Sequence, residues 1–131
     1  MSLAQLVPLT GVAIVTTPHT VSAGIAGKSA ELFRRLQAPV LGVIENMGLY
    51  RCPCCGTESR LFNGMSGSDL ANALETAFLG SVPLDPEISA SSAEGIPCLV
   101  AHPESAYASV IRSVAGKMAA QASLATANQG R

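Results

Sequence analysis

The sequence has few basic residues, and they do not form a cluster. Of its 131 residues only 8 are Lys or Arg, against 9 Asp or Glu, which gives a net charge of −1. A protein that binds nucleic acid usually carries a basic patch or stripe that neutralises phosphates, and the sequence has no such stretch. We therefore expect neither DNA nor RNA as a partner.

Long apolar runs are also missing from the sequence. A membrane-spanning helix needs roughly 20 consecutive apolar residues, and no stretch approaches that length. The first basic residue is Lys28, so the start lacks the positively charged segment of a secretory signal peptide. These absences predict a cytoplasmic protein without a membrane partner.

The cysteines are few, and a second C-x-x-C motif is absent. The 4 cysteines include one such pair, Cys52 and Cys55, with Gly56 directly after it. In a reducing compartment this spacing serves metal or redox chemistry more often than a disulfide framework. Tetrahedral zinc and cubane iron–sulfur clusters usually take four protein ligands. The sequence therefore predicts that one chain supplies half of a site and a second subunit supplies the rest.

Three interpretations of the pair stay open: ligands of a metal or cluster, a thioredoxin-like dithiol, and cysteines without a role. A redox dithiol usually stands at the start of a helix, but no helical apolar pattern follows Gly56, which favours the metal. Cys54, inside the motif, is either a spare ligand or a bystander. Cys98 lies in the apolar stretch Ile96–Val100 and is expected to be a small buried side chain.

The first part of the chain has the pattern of a β-α-β unit. Val12–Thr17 and Val40–Asn46 are β-branched runs typical of parallel strands. The segment between them predicts an amphipathic helix that begins after the N-cap Thr20 and ends near Gln37. The apolar stripe that we expect to cover the sheet consists of Val21, Ile25, Leu32, Phe33 and Leu36.

The rest of the chain continues the alternation of helices and strands. We predict a short helix after a cap in Gly64–Ser68, a third strand at Phe78–Val82 and a fourth strand at Pro97–Val100. Ser105 is expected to cap the last helix, and the polar, small-residue composition of residues 119–131 predicts disorder. The predicted fold class is α/β, with a mostly parallel sheet of about four strands flanked by helices.

Gly24–Ser29 resembles the end of a phosphate-binding loop. The full pattern G-x-x-x-x-G-K-[ST] would need a glycine at Ser22, and the segment lies inside the predicted helix instead of directly after a strand. No other stretch could hold the β- and γ-phosphates. We therefore expect that this chain does not hydrolyse ATP alone.

Asn46 lies at the predicted carboxyl end of a strand, where open α/β sheets bind their ligands. Its amide could both donate to and accept from a purine edge, or it could cap backbone groups of the following loop. The residue pattern leaves both roles open.

Several segments together resemble a known family. They are Thr16–Pro18, Phe33–Arg34, Pro39–Met47, the Cys-Pro-x-Cys-Gly motif at Cys52–Gly56, Gly80–Pro86 and Gly95–Pro97. Their order and spacing resemble the Mrp/ApbC-type iron–sulfur cluster carriers, which are P-loop ATPases related to MinD and ParA. The resemblance runs from about Leu3 to Met118. It implies a partial three-layer, Rossmann-like P-loop NTPase fold, in which residues 1–131 form the carboxyl-terminal part without the Walker A half.

The resemblance also implies a function. A homodimer would hold one [4Fe-4S] cluster between two pairs of Cys52 and Cys55 and deliver it to apo iron–sulfur proteins. ATP, bound with magnesium in the full-length family, would regulate that exchange. Asn46, Pro83 and Asp85 match positions that hold the nucleotide base in such proteins. The alternative is a structural zinc-knuckle interaction module without nucleotide chemistry.

Overall fold

A single mixed sheet organises the protein, and its central strand leads directly to the cysteines. The computed structural model describes residues 7–93 and 95–129. The four strands in that part of the chain are β1 (Val12–Thr16), β2 (Val40–Arg51), β3 (Glu58–Ser59) and β4 (Phe78–Leu84). β2 pairs in parallel with β1 on one side and with β4 on the other, and its end pairs antiparallel with β3. The mostly parallel sheet of the predicted α/β class is confirmed.

Helices connect the strands and flank the sheet. Within the described residues they are α1 (Thr20–Arg35), α2 (Gly67–Ala73), α3 (Pro86–Ala93), α4 (Cys98–Ala101) and α5 (Ala106–Gln129). α1 links β1 to β2, while α5 packs against β4 and β2. No helix in this described part is long and apolar enough to cross a membrane.

The core lies where α1 and α2 cover the first half of β2. Val43 and Leu79 are the largest side chains that are fully buried. Val43 belongs to a cluster whose other buried members are Ile14, Ala26, Ala30, Leu70 and Ala71. Burial of these apolar groups supplies the main stabilising free energy of the sheet, at roughly 25 cal/mol per Å² removed from water.

The face that α1 turns toward the sheet differs from the prediction. Its buried residues are the small ones, Ala23, Ala26 and Ala30, whereas Val21 and Ile25 are 63% and 62% exposed. The alanines follow the same helical spacing as the larger residues, and their size allows the helix to approach the sheet closely. The predicted apolar stripe was therefore wrong for Val21, Ile25 and Leu32, whereas Phe33 packs against the core as predicted.

The start of α1 also differs slightly from the prediction. His19 is the N-cap, and its Nδ1 accepts a hydrogen bond from the backbone N–H of Val21 at 3.3 Å. Thr20, the predicted cap, is the first residue of the helix. An imidazole nitrogen can satisfy a free N–H of the first turn as a hydroxyl oxygen does.

β2 is longer than its apolar run predicts. The strand continues past Asn46 to Arg51 because its last residues pair with both β3 and β4. Met47, with a φ of 59°, marks an irregularity at which the register with β4 shifts. The chain therefore reaches Cys52 from a strand and not from a loop.

The predicted strand at Pro97–Val100 was wrong, because Cys98–Ala101 is the short helix α4. Pro97 is its N-cap residue, and the Pro97 carbonyl accepts hydrogen bonds from Val100 at 2.8 Å and Ala101 at 3.0 Å. An apolar run of four residues does not distinguish a strand from a turn of helix. The fourth strand of the sheet is β3 instead.

The end of the chain also differs from its prediction. α5 continues through Gln129, where the composition of residues 119–131 predicted disorder. Ala and Gln favour helix, and no Gly or Pro interrupts the sequence from Lys117 to Gln129. At the other end Ser105 caps the helix as predicted, because its hydroxyl accepts from the N–H of Ala108 at 3.1 Å.

Candidate functional site

An antiparallel hairpin of β2 and β3 carries three of the four cysteines. Two backbone hydrogen bonds close its turn, from Cys52 N–H to the Thr57 carbonyl at 3.0 Å and from Gly56 N–H to the Cys52 carbonyl at 2.8 Å. Gly56 has a φ of 70°, a left-handed conformation that glycine adopts without a steric penalty. The turn that the C-x-x-C-G pattern predicts is therefore formed and held by the backbone itself.

The hairpin holds Cys52 and Cys55 three residues apart on one turn. Cys52 is half-buried, Cys55 is exposed, and both are free thiols. The Cys55 Sγ lies 3.2 Å from the Thr57 Oγ1. This contact, followed by hydrogen bonds with the Thr57 backbone and with the Cys52 side chain, lowers the pKa of Cys55 from its usual value. The two thiols thus lie on one backbone-closed turn, where their role as metal ligands stays a prediction.

The other two cysteines lie in different surroundings. Cys54 is exposed at the tip of the turn, and Cys98 is buried on α4 with 7% of its surface accessible. Within residues 7–93 and 95–129, no three His, Cys, Asp or Glu side chains come together as a metal-binding group. The C-x-x-C pair in the hairpin is therefore half of the set that tetrahedral zinc or a cubane cluster takes.

A buried carboxylate fixes β2 just before the hairpin. Glu45 is only 8% exposed, and its carboxylate accepts hydrogen bonds from the Gly67 N–H at 2.6 Å and from the Ser81 hydroxyl at 2.8 Å. A Cβ at Gly48 would overlap both the Glu45 carboxylate and the Ser81 hydroxyl, so the close approach requires glycine. Glu45 thus joins β2 to α2 and β4. Its one signal in the sequence is a charged residue directly after an apolar strand run.

The helix that receives Glu45 has its own cap. The Ser66 hydroxyl accepts from the Asp69 N–H at 3.1 Å, and the Asp69 carboxylate accepts from the Ser66 N–H at 3.3 Å. This reciprocal capping box holds the first turn of α2. The hydrogen bonds with the Ser66 side chain and then its backbone lower the pKa of Asp69 from its usual value.

A cavity of about 570 Å³ lies between the hairpin, the end of β4 and the start of α5. Cys52, Pro53 and Gly56 line it from the hairpin, while Pro83 and Asp85 line it from the end of β4. Clefts that hold small molecules usually enclose roughly 300–1,000 Å³. The structure therefore brings two of the three residues predicted to hold a base into the wall that contains Cys52.

Tyr107, at the start of α5, forms another part of this wall. Burial raises the pKa of Tyr107, and its electrostatic interactions with Cys98 and Asp85 raise it further. The sequence pattern did not single out this residue. Its aromatic ring offers the cavity a flat apolar surface beside a hydroxyl group.

Asn46, the third residue predicted to hold a base, is not part of the cavity lining. It is half-buried in β2, where it pairs in register with Val82. Its Oδ1 accepts a hydrogen bond from the Met47 N–H at 3.0 Å. This contact supports the backbone at the position where Met47 has a positive φ.

Gly24–Ser29, the segment that resembles a phosphate loop, lies inside α1. In the interior of a helix each N–H donates to the carbonyl four residues earlier, so these amides are not available to surround an anion. The phosphate-binding interpretation therefore has no support in the geometry.

Comparison with known proteins connects this site to a family. The family described as ParA, NUBPL iron-transfer P-loop NTPase, matches residues 1–119. The iron-sulfur cluster carrier protein of Aquifex aeolicus is 40% identical over 115 residues, which cover 88% of this chain and 32% of that protein. The iron-sulfur cluster transfer protein NUBPL of Mus musculus is 34% identical over 118 residues, covering 90% and 37% respectively. The chain thus spans about a third of the length of these relatives.

A solved structure gives the same fold. The cell division ATPase MinD of Pyrococcus furiosus superposes with a TM-score of 0.62 at 21% sequence identity, covering 81% of this chain and 41% of MinD. At this identity the likeness establishes the MinD-like P-loop NTPase fold alone. With the family match over residues 1–119, the chain belongs to the NUBPL iron-transfer P-loop NTPase family.

Proposed function

We propose that this chain is the cluster-holding part of an iron–sulfur cluster carrier. Two chains associate as a homodimer, and Cys52 and Cys55 of each bridge one [4Fe-4S] cluster, which is delivered to apo iron–sulfur proteins. The observation that carries the proposal is the hairpin, whose closed turn holds the free thiols of Cys52 and Cys55 in the described part of the chain. The names of the relatives, an iron-sulfur cluster carrier protein and a cluster transfer protein, support it.

The exposure of the hairpin suits an iron–sulfur cluster that is passed to another protein better than a structural zinc ion. Cys55 lies at the surface, where the thiols of a recipient could replace it as a ligand. A structural zinc site is closed by four protein ligands and supplies folding free energy. Here backbone hydrogen bonds already close the turn from Cys52 to Thr57. These features favour the carrier over the alternative, a structural zinc-knuckle module.

Nucleotide binding is the second component of the proposed function. Pro83 and Asp85 would contact the base in the cavity, with Asn46 beside them on β2. Because Cys52 and Pro53 line the same cavity, an occupant would touch the cysteine hairpin, and this gives ATP a physical route to regulate cluster exchange. The phosphates and magnesium would need a phosphate loop, so we expect no ATP hydrolysis by this chain alone.

The proposed place of action is the cytoplasm, whose reducing conditions keep Cys52 and Cys55 free as ligands. A homodimer follows from the half-site on each chain. The partners are then apo iron–sulfur proteins, and the weakly acidic net charge of −1 gives no reason to include nucleic acid.

Anaerobic reconstitution with iron and sulfide tests the proposal. We expect the visible absorption of a [4Fe-4S] cluster and its transfer to an apo [4Fe-4S] protein mixed with the loaded carrier. Zinc binding without any cluster formation would contradict the carrier and support the zinc module. Loss of both thiol ligands should abolish cluster transfer. If the purified chain hydrolysed ATP, the expectation that Gly24–Ser29 binds no phosphate would be contradicted.

A further inference from the structure

Thr57 lies outside the Cys-Pro-x-Cys-Gly motif but contacts the second cysteine of that motif, Cys55. The Cys-Pro-x-Cys-Gly pattern ends at Gly56, and Thr57 follows it directly. The Thr57 Oγ1 lies 3.2 Å from the Cys55 Sγ. A neutral thiol donates to the hydroxyl oxygen in this pair, whereas a thiolate can only accept, so the hydroxyl then becomes the donor.

The hairpin holds Thr57 in place for this contact. The Thr57 carbonyl accepts from the Cys52 N–H at 3.0 Å, which fixes the backbone of Thr57 opposite the first ligand. The left-handed Gly56 turns the chain back toward Cys55. Thr57 is β-branched, so its χ1 angle has few alternatives once the backbone is fixed. The hydroxyl is therefore placed before any metal arrives.

We propose that Thr57 is a positioning residue for the ligand Cys55, and that its hydroxyl donates a hydrogen bond to the Cys55 thiolate when a metal or cluster is bound. The inference rests on the proposed function only in taking Cys55 as a ligand. Groups that hydrogen-bond to metal ligands orient them, and their loss typically lowers metal affinity by about 10- to 100-fold. Cys52 makes no such contact with Thr57 through its sulfur among the side-chain hydrogen bonds described, so the two ligands of one chain differ.

A hydrogen bond to a ligand sulfur also has an electronic effect. It stabilises the more negative, reduced state of an iron–sulfur cluster and so raises the reduction potential. In a cobalt-substituted site it lowers the energy of the sulfur lone pair, which moves the thiolate-to-metal absorption band to higher energy. Neither effect follows from a residue that only stabilises the fold.

The first test uses zinc and cobalt alone, with Thr57→Val, Thr57→Ser and the wild-type chain compared under a competing chelator. We expect Thr57→Val to bind zinc about tenfold or more weakly and to shift the cobalt–thiolate band to lower energy, and Thr57→Ser to restore both. Thr126→Val is the matched control, because the Thr126 hydroxyl donates to the Ala122 carbonyl near the end of α5. Equal affinity in Thr57→Val, or failure of Thr57→Ser to restore it, would overturn the inference.

The second test measures the reduction potential of the reconstituted cluster. We expect a lower potential in Thr57→Val than in the wild type and an unchanged potential in Thr57→Ser and Thr126→Val. An unchanged potential in Thr57→Val would contradict the hydrogen bond. If no cluster forms in any variant, the proposed function fails, and the zinc and cobalt measurements still decide the role of Thr57.

Discussion

The two halves of β2 differ in nearly every property. In the first half Val43 is fully buried and Glu45 is 8% exposed, because β1 and β4 lie on either side and helices cover the strand. In the second half Arg51 is exposed, and the chain continues into the exposed turn of Cys54 and Cys55. One strand therefore joins a buried interior to the exposed turn that we propose to bind the cluster. Substitutions in the first half should change stability, and substitutions at the tip should change binding.

The boundary between the halves lies at residues 45–48. Glu45 is tied to α2 and β4, and Gly48 leaves the space that this carboxylate and Ser81 occupy. Met47 has a positive φ between them. This segment separates the buried part of β2 from the exposed turn, so substitutions in the turn should leave the core in place.

The largest expected effect comes from the ligands. We expect Cys52→Ala or Cys55→Ala to abolish cluster and zinc binding, because each removes one of the two thiols of a half-site. The melting temperature of Cys55→Ala should remain close to that of the wild type, since exposed positions usually change stability by less than about 0.5 kcal/mol. The half-buried Cys52 should lose somewhat more on truncation. Iron analysis and thermal unfolding measure the two outcomes.

Cys98→Ala is the control for that experiment. Cys98 is buried on α4, so its truncation should cost some stability and leave metal binding intact. Loss of metal binding in Cys98→Ala, or unfolding of metal-free Cys55→Ala, would contradict the separation of binding in the turn from stability in the interior.

The next effect in size is expected in the interior. Leu79 of β4 is 1% exposed and packs over Gly42 of β2. We expect Leu79→Ala to lower the free energy of unfolding by about 2–5 kcal/mol through lost burial and a residual cavity. Urea denaturation measures it, and the folded protein should keep its metal stoichiometry. A change below about 0.5 kcal/mol would show that this part of the sheet is not the core.

A smaller effect is expected at Glu45. Glu45→Gln keeps the shape, and its NH₂ group can donate to the Ser81 hydroxyl while its oxygen still accepts from the Gly67 N–H. We expect a loss of about 1 kcal/mol, because a hydrogen bond to a charged acceptor contributes more than one to a neutral acceptor. Glu31→Gln is the matched control, since Glu31 is exposed and paired only with Arg35 at 3.5 Å among the ion pairs described. Equal unfolding curves for both variants would contradict the role of Glu45.

The smallest effect concerns the cap of α2 and depends on pH. The folded protein holds the pKa of Asp69 below its usual value, so its stabilising contribution is present above about pH 4, the unfolded value, and is lost as pH falls through the folded pKa. We expect Asp69→Asn to be slightly less stable than the wild type at pH 7, with the difference closing in acid. Unfolding curves at pH 7 and pH 3 measure it, and a difference that grows on acidification would reverse the sign of the argument.

The sequence predicted the elements better than their faces and ends. The β-branched runs located β1 and the first half of β2 because such residues fit a buried parallel strand. The extension of β2 to Arg51 depends on pairing with β3 and β4, which are distant in sequence. The buried face of α1 depends on how closely the helix approaches the sheet. Periodicity alone therefore did not show that Ala26 is buried and that Ile25 is exposed.

The site was predicted unevenly for a similar reason. Cys52 and Cys55 form a spacing motif that a single sequence displays. Thr57 and Glu45 act through contacts that exist only once the hairpin turns back and α2 meets β2. Tyr107 joins the cavity because α5 packs beside the end of β4. Tertiary contacts of this kind leave no local pattern in the sequence.

The measurement that tests the central claim most directly is the number of clusters per chain. Iron and sulfide are quantified in the anaerobically reconstituted protein, and native mass spectrometry gives the mass of the loaded species. The account predicts one [4Fe-4S] cluster per two chains, carried by a dimer. The variants Cys52→Ala and Cys55→Ala should not form this cluster-bridged dimer. A complete cluster on a monomer, or a cluster that depends on Cys98, would contradict it.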